Sequence, residues 1–575
     1  MRAGSGPIVT EAELVGERIP RITKRTLSAR PAARWPVRLN LYDVASLALL
    51  AVLVVIVFAT YRHYAISNDE GVQHRYGELI IAYYASGFAD QSVFNFQNLY
   101  LYGGLFDILA VGLSHVLPLD PYDLRHILCG LIGVGGIAAT AAMARLIAGS
   151  RAGLIAAISL ALCGVWYGAM FNHTKDIPFA AAMMGAELFL IRIAYRLPSP
   201  RRSDVVAFGL LAGSALGIRI IGLLLVLFMG IAIALYAPRP WRFQGRARLR
   251  FARDSFIALL PALAIAYGIM IVAWPWAALA PLNPIRGLLA FSEFNYSIRT
   301  LLAGQIYEMA DVPRLYVPIY VMIRVPLVTL FGAALALLSV RLLPADHVSS
   351  PGRARDVALL STMLFVPLVC QAAFHGPAFT GLRHFLFVIP LLAVLAGIGF
   401  DKAFIALKAY GRIVAAGGIA IVSACFAWDA VILVRLHPYE YLFYNALVGG
   451  LDGASRRYDL DYWFDSMPEA IGKLEAYLHA SDAQDKTWRR EVYSVAVCGE
   501  RLAFEKAVTL PQLRWDFMPQ WNQSQFFLAP TNLNCDNDLD GKIVATVERL
   551  GVPIAYVKDR RALTRPVTAQ ASPMP

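Results

Sequence analysis

The chain has 575 residues, 58% of them hydrophobic and only 16% charged, with a formal charge of +12 and a mean hydropathy of +0.54. That balance excludes an ordinary water-soluble globule. It also speaks against nucleic acid as a partner: the basic residues sit in short segments between apolar runs, where they read as topology signals on an anionic membrane face.

The first forty residues are polar and carry Arg2, Arg18, Arg21, Lys24, Arg25, Arg30, Arg34 and Arg38. An uncharged run follows at 44–61, VASLALLAVLVVIVFATY. It has about the length that crosses a bilayer, roughly 20 helical residues. No small-residue cleavage pattern follows it, so it reads as a retained signal-anchor with the basic tail 1–40 in the cytoplasm. Further candidate spans lie at 126–144, 152–171, 177–195, 205–218, 220–237, 256–280, 315–340, 357–374, 385–400 and 413–434, eleven in all. The stretch 205–237 is too long for one crossing at about 1.5 Å per residue and is divided at Arg219.

The segment 100–117 contains Gly103-Gly104, Asp107 and His115 and makes a poor lipid-facing span. Leaving it out places Arg145/Arg151, Arg196/Arg201/Arg202, the arginines of 239–253, Arg341/Arg353/Arg355 and Lys402/Lys408/Arg412 all in the cytoplasm. Including it would move every one of them outside, against the positive-inside rule. It is therefore expected to dip into or lie on the outer membrane face, within a large first outer loop, 62–125. The other outer segments are then 172–176, the turn at Arg219, 281–314, 375–384 and everything after 434.

The tail 437–575 is more polar and is expected to form a small α/β domain on the outer side. Ser466-Met-Pro-Glu469 reads as a capping box opening a helix, and VYSVAVCG and KIVATV read as strands. Cys129, Cys163, Cys370 and Cys425 lie within spans, whereas Cys498 and Cys535 lie where oxidation is permitted, so a disulfide between these two is an expectation. The glycine run at 130–136, GLIGVGG, sits inside an apolar span and reads as close helix packing, not as a phosphate loop.

Reactive side chains gather at the outer ends of the spans in four groups: Asn68-Asp69-Glu70; Asn172, His173, Lys175 and Asp176; Arg219; and His375, Arg383 and His384. Each has a bland reading alone, as a solvated loop, a helix start or an interfacial anchor. Together they would leave several ionisable groups at the hydrocarbon boundary, where such groups are costly and often functional. Carboxylates and cations side by side suit a transfer reaction: a carboxylate takes the proton of an acceptor hydroxyl, while Arg and Lys hold a departing phosphate. A lipid-linked phosphosugar would deliver that phosphate at the membrane surface without a soluble cofactor.

The region from about 40 to 435 resembles the GT-C superfamily of polytopic glycosyltransferases, in the branch of the protein O-mannosyltransferases and lipid A aminoarabinose transferases. The resemblance rests on the acid in a long first outer loop (Asp69-Glu70), on Lys175-Asp176-Ile177-Pro178 after the third span, and on the order of spans. With the spans and tail read above, the expected fold is an α-helical polytopic one of about eleven spans with a small C-terminal α/β extracytoplasmic domain, in a bacterial inner membrane with that domain periplasmic. The resemblance implies inverting transfer of a sugar from a polyprenyl-phosphate donor to a hydroxyl of a glycan, lipid or protein. Asp69 matches the acceptor base and Asp176 a second orienting acid; Glu70 remains open. Arg219, Lys175, Arg383 and His384 are the candidates for holding the donor phosphate. Some superfamily members use a divalent metal, although no ligand spacing here demands one. The amphipathic-looking 281–314 segment is expected to lie on the membrane, and the aromatic and acidic stretch after His437 is a candidate for binding the acceptor. The main rival, a transporter or flippase of lipid-linked sugars, would place polar sites near the bilayer midplane. The spans hold few charges (Glu187, Arg192, Arg324, Asp429), and a scaffold without catalysis leaves the four groups unexplained.

Overall fold

The computed structural model describes residues 39–237, 245–292, 297–342, 351–376, 378–481 and 492–564. The basic tail up to Arg38 and the loop arginines Arg239 and Arg242 lie outside the described residues. Seven helices among those described are long and apolar enough to cross a membrane: Leu41–His63, Pro121–Ala148, Asp176–Ala194, Gly245–Ala273, Ala354–Phe374, Arg383–Lys408 and Arg412–Leu436. Two broken pairs add to them, Ser150–Ala161 with Gly164–Asn172, bent by 68°, and Tyr316–Arg324 with Leu327–Ser339, bent by 112°.

All eleven expected spans are helical, but among the described residues seven helices, or nine crossings if each bent pair is one span, meet the length and composition of a span, so the count of eleven is not confirmed. Arg202–Leu216 and Leu224–Tyr236 have 15 and 13 residues. They reach about 23 and 20 Å at 1.5 Å per residue, short of a ~30 Å hydrocarbon core. The break between them falls where expected, with Arg219 in an extended conformation. The segment 100–117 contributes only the 10-residue helix Leu105–Ser114, too short to cross.

The outermost helix, Leu41–Thr60, exposes Leu47, Val52, Val55 and Phe58, the surface a lipid-facing helix requires. Arg383–Lys408 is instead enclosed along nearly its whole length. A Cβ on its Gly399 would collide with the Gly332 carbonyl, so glycine here permits helix backbones to touch. The GLIGVGG glycines act likewise inside Pro121–Ala148, where Gly133 faces Met170 and Gly136 faces the Trp166 ring.

Ion pairs show how the helices alternate in direction. At one end Arg145 pairs with Asp43 at 2.6 Å and Arg151 with Asp401 at 2.8 Å. At the other, His126 meets the Tyr61 carbonyl, Ser67 donates to the carbonyl of Asn172, and Tyr64 donates to Glu440. All four polar groups of the sequence belong to chain segments at this second end or leading into it.

The 281–314 segment is only partly helical. After helix Asn283–Ser292 come two antiparallel strands, β1 (Arg299–Leu302) and β2 (Gln305–Glu308). They are joined by Ala303-Gly304, both at positive φ, the turn that matches strand twist. The tail forms a five-stranded sheet from β3 (Tyr493–Val497), β4 (Leu513–Trp515), β5 (Phe526–Pro530), β6 (Lys542–Arg549) and β7 (Val552–Asp559), in the order β4-β3-β5-β7-β6. β3 runs parallel to β4 and β5, while β7 is antiparallel to β5 and β6. Both strand-like runs of the sequence are strands. Helix Met467–Ser481 begins where the capping box was expected, but the box does not form. The Ser466 N–H donates to Asp461 at 3.1 Å, and Glu469 is drawn off by Tyr439 and Arg549. Cys498 and Cys535 are joined as a disulfide, their Cα atoms 6.6 Å apart. From Leu41 onward, helices and sheet form one compact unit.

Candidate active site

Asp176 opens the helix Asp176–Ala194, where its carboxylate meets the positive end of the helix dipole. The bend after Ala161 carries the preceding loop, 172–176, onto the end of the bundle. Asp69 immediately precedes the helix Glu70–Ala85. Arg383 begins the turn leading into the enclosed helix, after Gly381 at positive φ. Three separate helix starts and the break at Arg219 thus converge.

Their side chains form a continuous chain of charge. Arg219 Nη2 donates to Asp176 Oδ1, Arg383 Nε donates to Asp176 Oδ2 at 3.0 Å, and Arg383 Nη2 donates to Asp69 Oδ2. Asp176 is enclosed, its side chain 2% exposed, whereas that of Asp69 is 35% exposed. Lys175 adds a third cation. Its Nζ lies 4.2 Å from the centre of the Tyr102 ring, and it makes no ion pair among the described residues. Burial pushes its ammonium down to about 8. Arg219, Arg383 and Lys175 against Asp69 and Asp176 leave one positive charge in excess, and the Arg219 Nε is buried without a partner. Such a site suits an anion.

Between the helices that flank the break at Arg219 lies an apolar cavity of about 240 Å³ lined by Leu216, Gly222, Leu225, Ala266, Met270 and Pro284, among others.

The other candidates stand apart from the charge chain. Glu70 is fully buried; it accepts from the N–H of Ser67 at 2.8 Å and faces His126 at 3.2 Å. Glu70, the first residue of its helix, thus ties down the Ser67 N–H of the loop that precedes it. His384 packs against Phe379, and its Nδ1 finds no hydrogen bond. His375 is turned away, its Nε2 2.6 Å from the Val312 carbonyl oxygen. Sequence reasoning missed a second buried layer. Arg125 Nη2 donates to Asp107 at 2.8 Å, Thr174 at 2.9 Å and Gln73 at 3.1 Å, tying the loop before Lys175 to three other segments. The intrusion of Asp107 into an apolar stretch was the available signal. Trp463, Tyr462 and Asp465, from beyond the last span, also reach this end; their stretch was noted only for its aromatics and acids.

Guanidinium groups hold both oxygens of Asp176 and Oδ2 of Asp69. Among the described residues the metal-type cluster is Cys498, Cys535 and Asp538, elsewhere in the fold and with both sulfurs in the disulfide.

The chain is similar to three solved structures of low sequence identity. ArnT from Cupriavidus metallidurans bound to undecaprenyl phosphate has 16% identity and a TM-score of 0.45, covering 90% of this chain and 99% of that one. The archaeal oligosaccharyltransferase AglB from Archaeoglobus fulgidus, in complex with an inhibitory peptide and a dolichol-phosphate, has 14% identity and a TM-score of 0.40, covering 84% and 69%. The arabinofuranosyltransferase AftD from Mycobacteria has 16% identity and a TM-score of 0.40, covering 89% and 39%. No protein-family model matches the chain, and no curated protein does.

Proposed function

We propose that the protein is an integral membrane glycosyltransferase that moves a hexose or pentose from a polyprenyl-phosphate donor to an acceptor hydroxyl, with inversion. The observation that carries this reading is the partly exposed Asp69 beside an enclosed, net-positive group. The donor phosphate sits among Arg219, Lys175 and Arg383, and its chain enters the cavity between the helices that flank the break at Arg219. Asp69 accepts the proton of the acceptor hydroxyl as the oxygen attacks the anomeric carbon. The sugar–phosphate bond breaks on the opposite face, and the phosphate leaves into the cations, which stabilise its growing charge. Asp176 holds the two arginines in place. The reaction lies on the outer face of the membrane, with the sheet domain there too.

The test uses purified protein in nanodiscs, a panel of radiolabelled polyprenyl-phosphate sugars and a mixture of hydroxyl acceptors, following release of free polyprenyl phosphate. Turnover by wild type that Asp69→Asn loses supports the reading. Equal turnover in both removes Asp69 from the chemistry, and wild-type silence across the panel argues for transport of the lipid-linked sugar.

A further inference from the structure

The segment 459–466 follows the last membrane helix, yet it reaches the charge chain. It is pinned at both ends. Asp459 accepts hydrogen bonds from Thr300 at 2.5 Å, Tyr316 at 3.0 Å and the Leu301 N–H at 3.0 Å, and the Leu460 N–H donates to Asn532 at 3.0 Å. At the far end Asp461 accepts from the N–H groups of Asp465 and Ser466, and Asp465 accepts from Asn172 Nδ2 at 2.9 Å. Phe464 is held at a φ of 56°, a conformation a bulky residue adopts only when its surroundings impose it.

Between the pins stand Tyr462 and Trp463. The Arg383 guanidinium lies 4.5 Å from the centre of the Trp463 ring, within cation–π range. The other side of Arg383 faces Asp69 and Asp176. The space lined by Arg383, His173, Arg324, Tyr441 and Tyr462 is only about 10 Å³, room for one water at most, so little space is left on that side of the guanidinium. Tyr462 fixes the opposite wall. Asn172 donates through Nδ2, so its Oδ1 accepts from His173 Nδ1–H at 3.1 Å, and His173 Nε2 then accepts from the Tyr462 hydroxyl at 2.5 Å.

We infer that Trp463 is a positioning residue: it sets the orientation of Arg383 and thereby the affinity of the site for the donor phosphate. The segment after the last span is therefore part of the site's construction, not a tether to an independent domain. This inference rests on the proposed function for the identity of the ligand.

The test measures binding of undecaprenyl phosphate to the purified full-length protein in detergent, for wild type, Trp463→Phe and Trp463→Leu. Affinity should fall in the order Trp, Phe, Leu, with a loss of roughly tenfold at Leu, following the strength of the ring's attraction for a cation. Each variant is repeated in an Arg383→Gln background, where substitution at Trp463 should change affinity no further, because a residue acting only through Arg383 is not additive with it. Equal affinity in wild type and Trp463→Leu, or full additivity with Arg383→Gln, overturns the inference. If the Leu variant does not fold, the Phe variant in the same cycle decides. Wild type that binds the lipid phosphate but never turns over a donor sinks the transferase reading and leaves the Trp463 result standing. Wild type that does not bind it overturns both.

Discussion

Asp69 and Asp176 share one guanidinium: Arg383 reaches Asp69 through Nη2 and Asp176 through Nε, so an exposed carboxylate and an enclosed one are held by the same cation. Their environments set their roles apart. Asp176 has a second arginine and almost no solvent, whereas Asp69 has one arginine and an open side.

The first consequence concerns which acid reacts. Asp69→Asn should cut turnover by about 10²–10⁴-fold, the usual range for removing a general base, with little effect on the unfolding temperature. Glu70→Gln should do the reverse, because Glu70 is buried against Ser67 and His126 and serves the helix start. Parallel measurements of kcat and thermal unfolding on the two variants check this. A Glu70→Gln protein that is stable and inactive contradicts it.

The second concerns the order of binding. In the structure Arg383 Nη2 is bonded to Oδ2 of Asp69, one of the two oxygens that could take an acceptor proton. A donor phosphate competes for that guanidinium and draws it away, so the donor should bind first. Product inhibition by free polyprenyl phosphate should be competitive against the donor and noncompetitive against the acceptor. Competition against the acceptor is the opposite result.

The third is a pH limb. With its pKa lowered to about 8 by burial, Lys175 is an ammonium below that value and neutral above it. Phosphate binding needs the charged form, so kcat/KM for the donor should be full below about pH 8 and fall as pH rises through it. Lys175→Arg, whose guanidinium stays charged, should carry the limb to higher pH. A pH profile of both proteins between 6 and 10 distinguishes this from a limb set by another group.

The fourth concerns the layer behind the site. Arg125 and Asp107 are both buried and paired at 2.8 Å. Arg125→Met leaves Asp107 enclosed without its cation and should cost about 3–5 kcal/mol, whereas Arg125→Met with Asp107→Leu should recover most of that. Denaturation of the single and double variants in the same detergent gives the comparison. A double variant less stable than the single one is incompatible with the pair's proposed role.

Much of this molecule was legible in its residues. Helix locations follow from runs of Leu, Val, Ile and Ala, because the lipid core forces every backbone polar group into a local hydrogen bond, and a local rule can be read locally. The gathering of Asp69, Lys175, Asp176, Arg219 and Arg383 at one end follows from counting spans, since each crossing reverses direction.

Pairing depends on tertiary contacts, and these the residues alone did not reveal. Arg383 bridges two acids brought from distant parts of the chain; Ser466 loses its expected Glu469 partner to Tyr439 and Arg549; part of the 281–314 segment becomes a hairpin whose Thr300 binds Asp459. Trp463 lies beyond the last apolar run, where composition suggests a separate domain, yet its ring packs against the Arg383 guanidinium. Hydropathy determines which segments enter the membrane because transfer energy is nearly additive along the chain. Which charge meets which is decided by side-chain geometry among segments far apart in sequence, and only the folded chain supplies that.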